Sequence, residues 1–246
     1  MNMPIAWLTL RQLLGAKRTL LLVAAALLPI TLAIVFRLTD PDVEPARFIA
    51  QTLLGRLVVG TMLPLAALVV GTAALGSEIE DGTAVYLLSK PLPRRVILLP
   101  KLAVCAGLTL AMMLVVTVVA GAIAAGGEED GAAVILGFAV AVAAGSVVYS
   151  ALFVLLSVYT TRAFISGLLY VFLWEQVVTR IFTGTRILSV RQYTIAVADG
   201  VAHVSSSVFD GNLDTWKAVV MMVVVTIAAT YFAIRRLERF EIGETA

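Results

Sequence analysis

The sequence predicts an all-α membrane protein, and three observations support this: its composition, the length of its apolar stretches and the lack of alternation within them. Of the 246 residues, 61% are hydrophobic and 14% are charged, whereas soluble domains carry about 25% charged residues. A bilayer core about 30 Å thick requires roughly 20 apolar residues per helical crossing. The apolar stretches approach or exceed that length, and they lack the alternation of transmembrane strands.

Apolar stretches between charged residues predict six transmembrane helices in a single domain that covers residues 1–246. Their expected bounds are 19–37, 56–75, 96–125, 132–160, 163–183 and 216–236. The first stretch is longer than the apolar core of a usual signal peptide and is flanked by Arg18 and Arg37. A retained helix is therefore favoured over a cleavable signal.

The distribution of Lys and Arg predicts the orientation. With the N-terminus inside, the inner segments contain eleven of the eighteen basic residues. Because Lys and Arg concentrate on the cytoplasmic side of membrane proteins, both termini are expected in the cytoplasm. The chain would then lie as a multi-pass protein in the cytoplasmic (inner) membrane.

Three further segments are assigned outside the six crossings. Residues 4–17, with Trp7 and Arg11, predict an interfacial helix on the inner leaflet, the alternative being a frayed basic N-terminus. Residues 38–53 are expected to form an outer loop. In residues 184–215, Ile187, Val190, Val197 and Val201 recur at helical spacing, which predicts a half-buried re-entrant helix between the fifth and sixth crossings.

The inner segment 76–95, between the second and third helices, is longer than a turn requires. It opens with Glu78, Glu80 and Asp81, which favour a helix N-terminus, and it ends at two prolines. Arg94, Arg95 and Lys101 are expected to anchor the third helix at the inner headgroups. Two interpretations remain open on these residues alone: a rigid helical knob that receives force from a partner, or a solvated charged hairpin.

The chain resembles ABC-2 type permeases, the membrane subunits of ATP-binding-cassette exporters, in the pattern Gly76, Glu78, Gly82-Thr83, Leu87-Leu88-Ser89, Pro91, Arg94 and Lys101. The resemblance extends over nearly the whole chain and implies an ABC-2 (type V exporter-like) fold. It implies that segment 76–95 forms a cytoplasmic coupling helix, docked on a separate ATPase subunit. The implied coupling residues are Glu78, Glu80, Asp81, Gly82, Thr83, Tyr86, Leu87, Ser89, Pro91 and Arg94.

The resemblance also implies the partners. Two copies of an ABC ATPase and a second permease, either an identical copy or a related chain, would assemble in the lipid bilayer. ATP and Mg would bind the ATPase, and no cofactor or nucleic acid would bind this chain. It would be a transport subunit rather than an enzyme. The alternatives are an ATP-independent transporter and an immunity-type membrane protein.

Glu175 is the most unusual residue of the fifth predicted helix, because a carboxylate at the bilayer centre costs about 2.5–3.5 kcal/mol on insertion scales. Glu175 and Arg180 are candidates for the substrate path or its gating. The alternative is a structural hydrogen bond or ion pair, with Arg180 or with a neighbouring helix.

Other chemistry-bearing residues are sparse. The sequence contains no G-x-x-x-x-G-K-[ST] phosphate-binding motif. The single Cys105 is interpreted as a small buried thiol, and the single His203 as a surface residue. Catalytic triads and metal-ligand clusters are not expected.

Overall fold

The computed structural model describes residues 3–14, 17–39, 43–80, 93–127, 129–181, 183–204 and 213–238, and the regular structure in these ranges is helical. Within them, four helices are long and apolar enough to cross a membrane: Pro45–Ala74, Arg94–Ala125, Gly131–Tyr159 and Thr215–Glu238. Two shorter apolar helices cover Ala24–Thr39 and Ala163–Val178. The chain is therefore a multi-pass membrane protein.

The first two helices are α1 (Met3–Leu14) and α2 (Lys17–Thr39). In α1, Thr9 and Leu13 are buried against the bundle, whereas Trp7 is 66% exposed. One face of α1 thus packs on protein and leaves the tryptophan side free, an arrangement that suits a helix lying along a membrane surface.

The next helix, α3, covers residues 45–80. It begins with the α-helical turn Pro45–Arg47, continues as a π-helical stretch, Phe48–Met62, and ends as the α-helical stretch Leu63–Glu80. The prediction of a loop over residues 38–53 is therefore wrong at 38–39, which belong to α2, and from Pro45 onward. Arg56 misled the prediction, since a charged side chain on the exposed face of a helix does not end it.

The helices α4 (Arg94–Ala125) and α5 (Glu129–Tyr159) form a long antiparallel pair. Gly126 closes α4 in the left-handed conformation with φ 56°, and its N–H donates to the Ala122 carbonyl at 3.2 Å. Glycine adopts this conformation without the steric penalty that other residues incur.

The remaining described residues form three helices and a 3-10 segment. Helix α6 comprises Ala163–Leu169, the π-helical stretch Tyr170–Val178 and the turn Thr179–Ile181. A 3-10 segment, Thr183–Leu188, leads to helix α7 (Val190–Ala202). The final helix described, α8, is Thr215–Glu238.

Helix α5 is the centre of the bundle and contacts α3, α4, α7 and α8. Its small residues allow close approach: a Cβ at Gly137 would lie 2.5 Å from the Ala198 carbonyl oxygen of α7. Small residues bring membrane helices together, because packing rather than water exclusion stabilises their contacts.

The bundle has two distinguishable ends. The end at which α3 finishes and α4 begins is called the hairpin end, and a buried cluster there unites five elements through Leu13, Ala74, Leu98, Val158 and Leu237. The opposite end is called the far end, where Phe36 of α2 stacks on Phe48 of α3 with ring centroids 3.8 Å apart.

A methyl group added at Gly137 should destabilise the protein by about 1–3 kcal/mol, since it overpacks the contact between α5 and α7. Thermal unfolding of purified Gly137→Ala in detergent measures the effect. Gly107→Ala is the matched control, because a Cβ at Gly107 meets nothing within 4 Å. Equal melting temperatures for the two variants would contradict the close approach.

Candidate functional site

The predicted site residues fall into two groups at different depths of the bundle. Most coupling residues, from Asp81 to Pro91, lie outside the described residues. Glu78 and Glu80 lie in the last turn of α3, and Arg94 is the first residue of α4. Both acids continue the helix that precedes the segment, and Asp81 lies outside the described residues, so the prediction that a new helix begins here stays a prediction. Glu175 and Arg180 lie on α6, and the side chain of Arg180 is not among those described.

The hairpin end is braced by contacts between α3 and α4. The ammonium of Lys101 donates to the Ala74 carbonyl oxygen at 2.7 Å, and the Cys105 thiol donates to the Val70 carbonyl oxygen at 3.7 Å. Both side chains are buried. Two successive turns of α4 are thereby tied to two successive turns of α3, close to the segment that connects them.

The expectation that Lys101 anchors α4 at the headgroups is wrong. Its side chain is 1% exposed and points into the bundle, toward the backbone of α3. A buried cation requires hydrogen-bond partners, and the Ala74 carbonyl is one. Arg95, in contrast, is exposed.

Glu175 is the acceptor of a hydrogen-bond network inside the bundle and is 0% exposed. Its oxygen Oε2 accepts from the Ser189 hydroxyl at 2.5 Å. Its oxygen Oε1 accepts from the Val190 N–H at 3.0 Å, from the Tyr170 hydroxyl at 3.1 Å and from the Tyr149 hydroxyl at 3.4 Å. Three elements, α5, α6 and the start of α7, thus meet at one carboxylate.

Two of these donors belong to the N-terminus of α7. Ser189 is its N-cap, and the Ser189 hydroxyl also accepts from the Gln192 N–H at 3.3 Å. The first N–H groups of a helix have no partner within it and carry a partial positive charge. Glu175 supplies the acceptor oxygens at that position.

The distance of this network from the hairpin end can be counted along α5. Tyr149 lies ten residues before the end of α5 at Tyr159 and twenty after its start at Glu129, or about 15 Å from the hairpin end. Helix α7 therefore starts inside the bundle and runs toward the far end, where Gly137 faces Ala198 and Ala202.

The two π-helical stretches meet beside Glu175. The amide of Gln176 on α6 donates to the Gly60 carbonyl oxygen on α3 at 2.5 Å. A π-helical turn often marks a functional position, because it leaves backbone carbonyls displaced from the regular α-helical pattern.

Sequence reasoning found Glu175 but missed its partners. Ser189 had a usable signal, since Ser189-Val-Arg-Gln192 matches the S-x-x-Q capping pattern that precedes a helix. Tyr149 and Tyr170 had no such sequence signal, because tyrosines at helical spacing are equally consistent with packing. Among the described residues, no group of three His, Cys, Asp or Glu side chains could hold a metal ion.

Comparison with known families decides the class of the protein. The model of the ABC-2 family transporter protein matches residues 16–176, a range that includes the predicted coupling residues and Glu175 but not Arg180. The chain belongs to the ABC-2 transporter family. No curated protein matches it. As a member of this family, the chain is a membrane component of a transporter.

Reversing the charge of Lys101 should destabilise this ABC-2 protein by about 3–5 kcal/mol, because Lys101→Glu would place a buried carboxylate against the Ala74 carbonyl. Arg95→Glu is the control on the exposed face of the same helix, where a change within about 0.5 kcal/mol is expected. Chemical unfolding in detergent measures both. Similar small effects for the two variants would show that Lys101 faces solvent or headgroups.

Proposed function

We propose that the chain is the permease subunit of an ABC exporter, which forms the substrate pathway and couples it to ATP hydrolysis by a separate ATPase subunit. The observation that carries this proposal is the ABC-2 match over residues 16–176, since that range contains the hairpin and both helices that flank it. The sequence has no phosphate-binding G-x-x-x-x-G-K-[ST] motif. ATP and Mg would accordingly bind the ATPase.

The proposed coupling element is segment 76–95, facing the cytoplasm. Helix α3 continues to residue 80 and α4 begins at residue 94, so a partner that pushes on the intervening residues would push on two long helices. The contact between Lys101 and Ala74 ties these helices to each other near that segment. A braced base favours transmission of the push over local bending of the hairpin.

The proposed assembly contains two permease chains and two ATPase subunits in the cytoplasmic membrane, with six crossings per permease and both termini inside. The second permease is an identical copy or a related chain. The cargo is proposed to be hydrophobic or amphiphilic, because the sequences of the predicted helices offer no obvious polar channel.

Glu175 is proposed to respond to opening of the pathway rather than to contact cargo. It is fully buried and its carboxylate is occupied by donors from α5, α6 and α7. Movement of α6 relative to α7 would separate Glu175 from Ser189 and Val190. The strength of this network would therefore set the cost of such a movement. Arg180, one turn further along α6, is proposed to belong to the same gate.

A charged residue in the hairpin should abolish docking of the ATPase. Gly82→Glu and Tyr86→Glu should each reduce co-purification of the ATPase at least about tenfold, because an unpaired charge buried in an interface costs 2 kcal/mol or more. Val43→Glu, at an exposed position of the far end, is the control. Retained assembly and transport would contradict the docking role, and transport without any ATPase would favour an ATP-independent transporter.

Glu175→Gln should lower the cost of moving α6 away from α7 and so raise the transport rate about tenfold or more in a folded protein, since an amide cannot accept from all four donors as a carboxylate does. One hydrogen bond to a charged group contributes about 1.5–3 kcal/mol. Initial transport rates in proteoliposomes measure the change, and thermal unfolding verifies the fold. Asp214→Asn, an exposed carboxylate paired with Lys217, serves as the control. A wild-type rate for folded Glu175→Gln would remove the gating role.

A further inference from the structure

An apolar groove opens on the side of the bundle between the hairpin-end halves of α5, α6 and α8. It has a volume of about 470 Å³, and its walls include Leu152 and Leu156 of α5, Ser166 and Tyr170 of α6, and Phe232 of α8. Phe232 is 51% exposed, so the groove is open laterally. In a membrane it would face the leaflet at the hairpin end.

A basic aromatic mouth continues this groove at the hairpin end. A second cavity of about 430 Å³ is lined by Tyr159, Tyr231, Phe232, Arg235 and Arg236. It shares Tyr159 and Phe232 with the groove. Apolar walls therefore lead directly to two guanidinium groups at the depth where helix α5 ends.

The two arginines are held in place by aromatic rings. Arg235 lies 5.4 Å from the centroid of Tyr231 and donates from Nε to the Tyr231 hydroxyl at 2.9 Å. Arg236 lies 5.7 Å from the centroid of Tyr159. Aromatic faces orient a guanidinium without neutralising its charge.

Neither guanidinium is neutralised within the described part of the chain. The ion pair between Asp214 and Lys217 lies at the far end of α8 and involves neither arginine. The Nε of Arg236 is buried and has no hydrogen-bond partner among the described residues. The mouth thus presents two positive charges and an unused donor next to an apolar groove.

We propose that this groove binds an anionic phospholipid of the leaflet at the hairpin end. The phosphate would lie between Arg235 and Arg236, because guanidinium donors match phosphate oxygens in geometry and charge. An acyl chain would lie along Leu152 and Leu156. From Tyr159 to Leu152 the wall rises about 10 Å, which accommodates the upper part of one acyl chain.

The proposed occupant is a lipid, because the other candidate ligands would suit only one half of the site. A free phosphate ion would leave the apolar groove unfilled, and a zwitterionic lipid would bring a second positive charge next to the arginines. Basic pockets between membrane helices are suited to anionic headgroups. The groove suits the acyl chain of such a lipid, and the basic mouth suits its phosphate.

The inner end of the groove adjoins the Glu175 network. Tyr170 lines the groove, and its hydroxyl donates to Glu175 at 3.1 Å. Phe153, which also lines the groove, packs edge-to-face on Tyr170 with centroids 6.2 Å apart. A bound acyl chain would pack against the ring that supports the network, and we expect anionic lipid to raise the melting temperature of the protein.

The test uses the full-length protein and native mass spectrometry with phosphatidylglycerol and phosphatidylcholine of identical acyl chains. The wild type should retain phosphatidylglycerol in preference to phosphatidylcholine. Arg235→Gln with Arg236→Gln should reduce phosphatidylglycerol retention about tenfold or more. The matched control, Arg11→Gln with Arg95→Gln, removes two exposed charges from α1 and α4 and should change retention less than twofold.

A second variant tests the apolar half without changing charge. Ser166→Trp should fill the groove and reduce retention of phosphatidylglycerol about as strongly as loss of the two arginines. Unchanged retention in this variant, or displacement of the lipid by millimolar inorganic phosphate, would overturn the proposal. A shift from dimer to monomer in Ser166→Trp with lipid retention intact would assign the groove to a second copy instead.

Discussion

A helix that begins inside the bundle must find acceptors for its first N–H groups, and this requirement organises the middle of the molecule. Helix α7 starts at Val190, and Glu175 accepts from both the Val190 N–H and the Ser189 hydroxyl. Without water, unsatisfied backbone groups cost several kcal/mol each. The hydrogen bonds between the two offset the cost of burying the carboxylate and also the cost of burying the helix terminus. Each buried group therefore explains the presence of the other.

The bundle combines a braced end with an irregular middle. At the hairpin end, Lys101 and Cys105 tie α4 to α3 through regular α-helix. In the middle, α3 and α6 are π-helical and meet where Gln176 donates to Gly60. Helix α3 passes through both regions, and in the proposed mechanism it would carry motion from the hairpin to the Glu175 network. Irregular turns absorb changes of geometry more readily than uniform α-helix does.

Within the candidate site, the sequence alone predicts only a residue whose own burial in the membrane is energetically costly. Glu175 was visible because a carboxylate in an apolar stretch is unusual at any register. Lys101 was assigned to the headgroups, since its position near the helix start suits snorkelling; only the packed neighbour α3 shows that it donates inward to Ala74. Tyr149 and Ser189 lie 26 and 14 residues from Glu175, and such separations leave no pattern in a single sequence.

The sequence by itself determined the class of the protein, because burial in lipid requires long uncharged helices and leaves few alternatives. It also determined the family, through the residues of segment 76–95 and the match over residues 16–176. Tertiary structure decided which charged residues face inward and where helices continue past them, as at Arg56 and Lys101. Those outcomes depend on which face of each helix meets a neighbour. Only the packed bundle fixes that face, since apolar membrane helices offer similar residues all round.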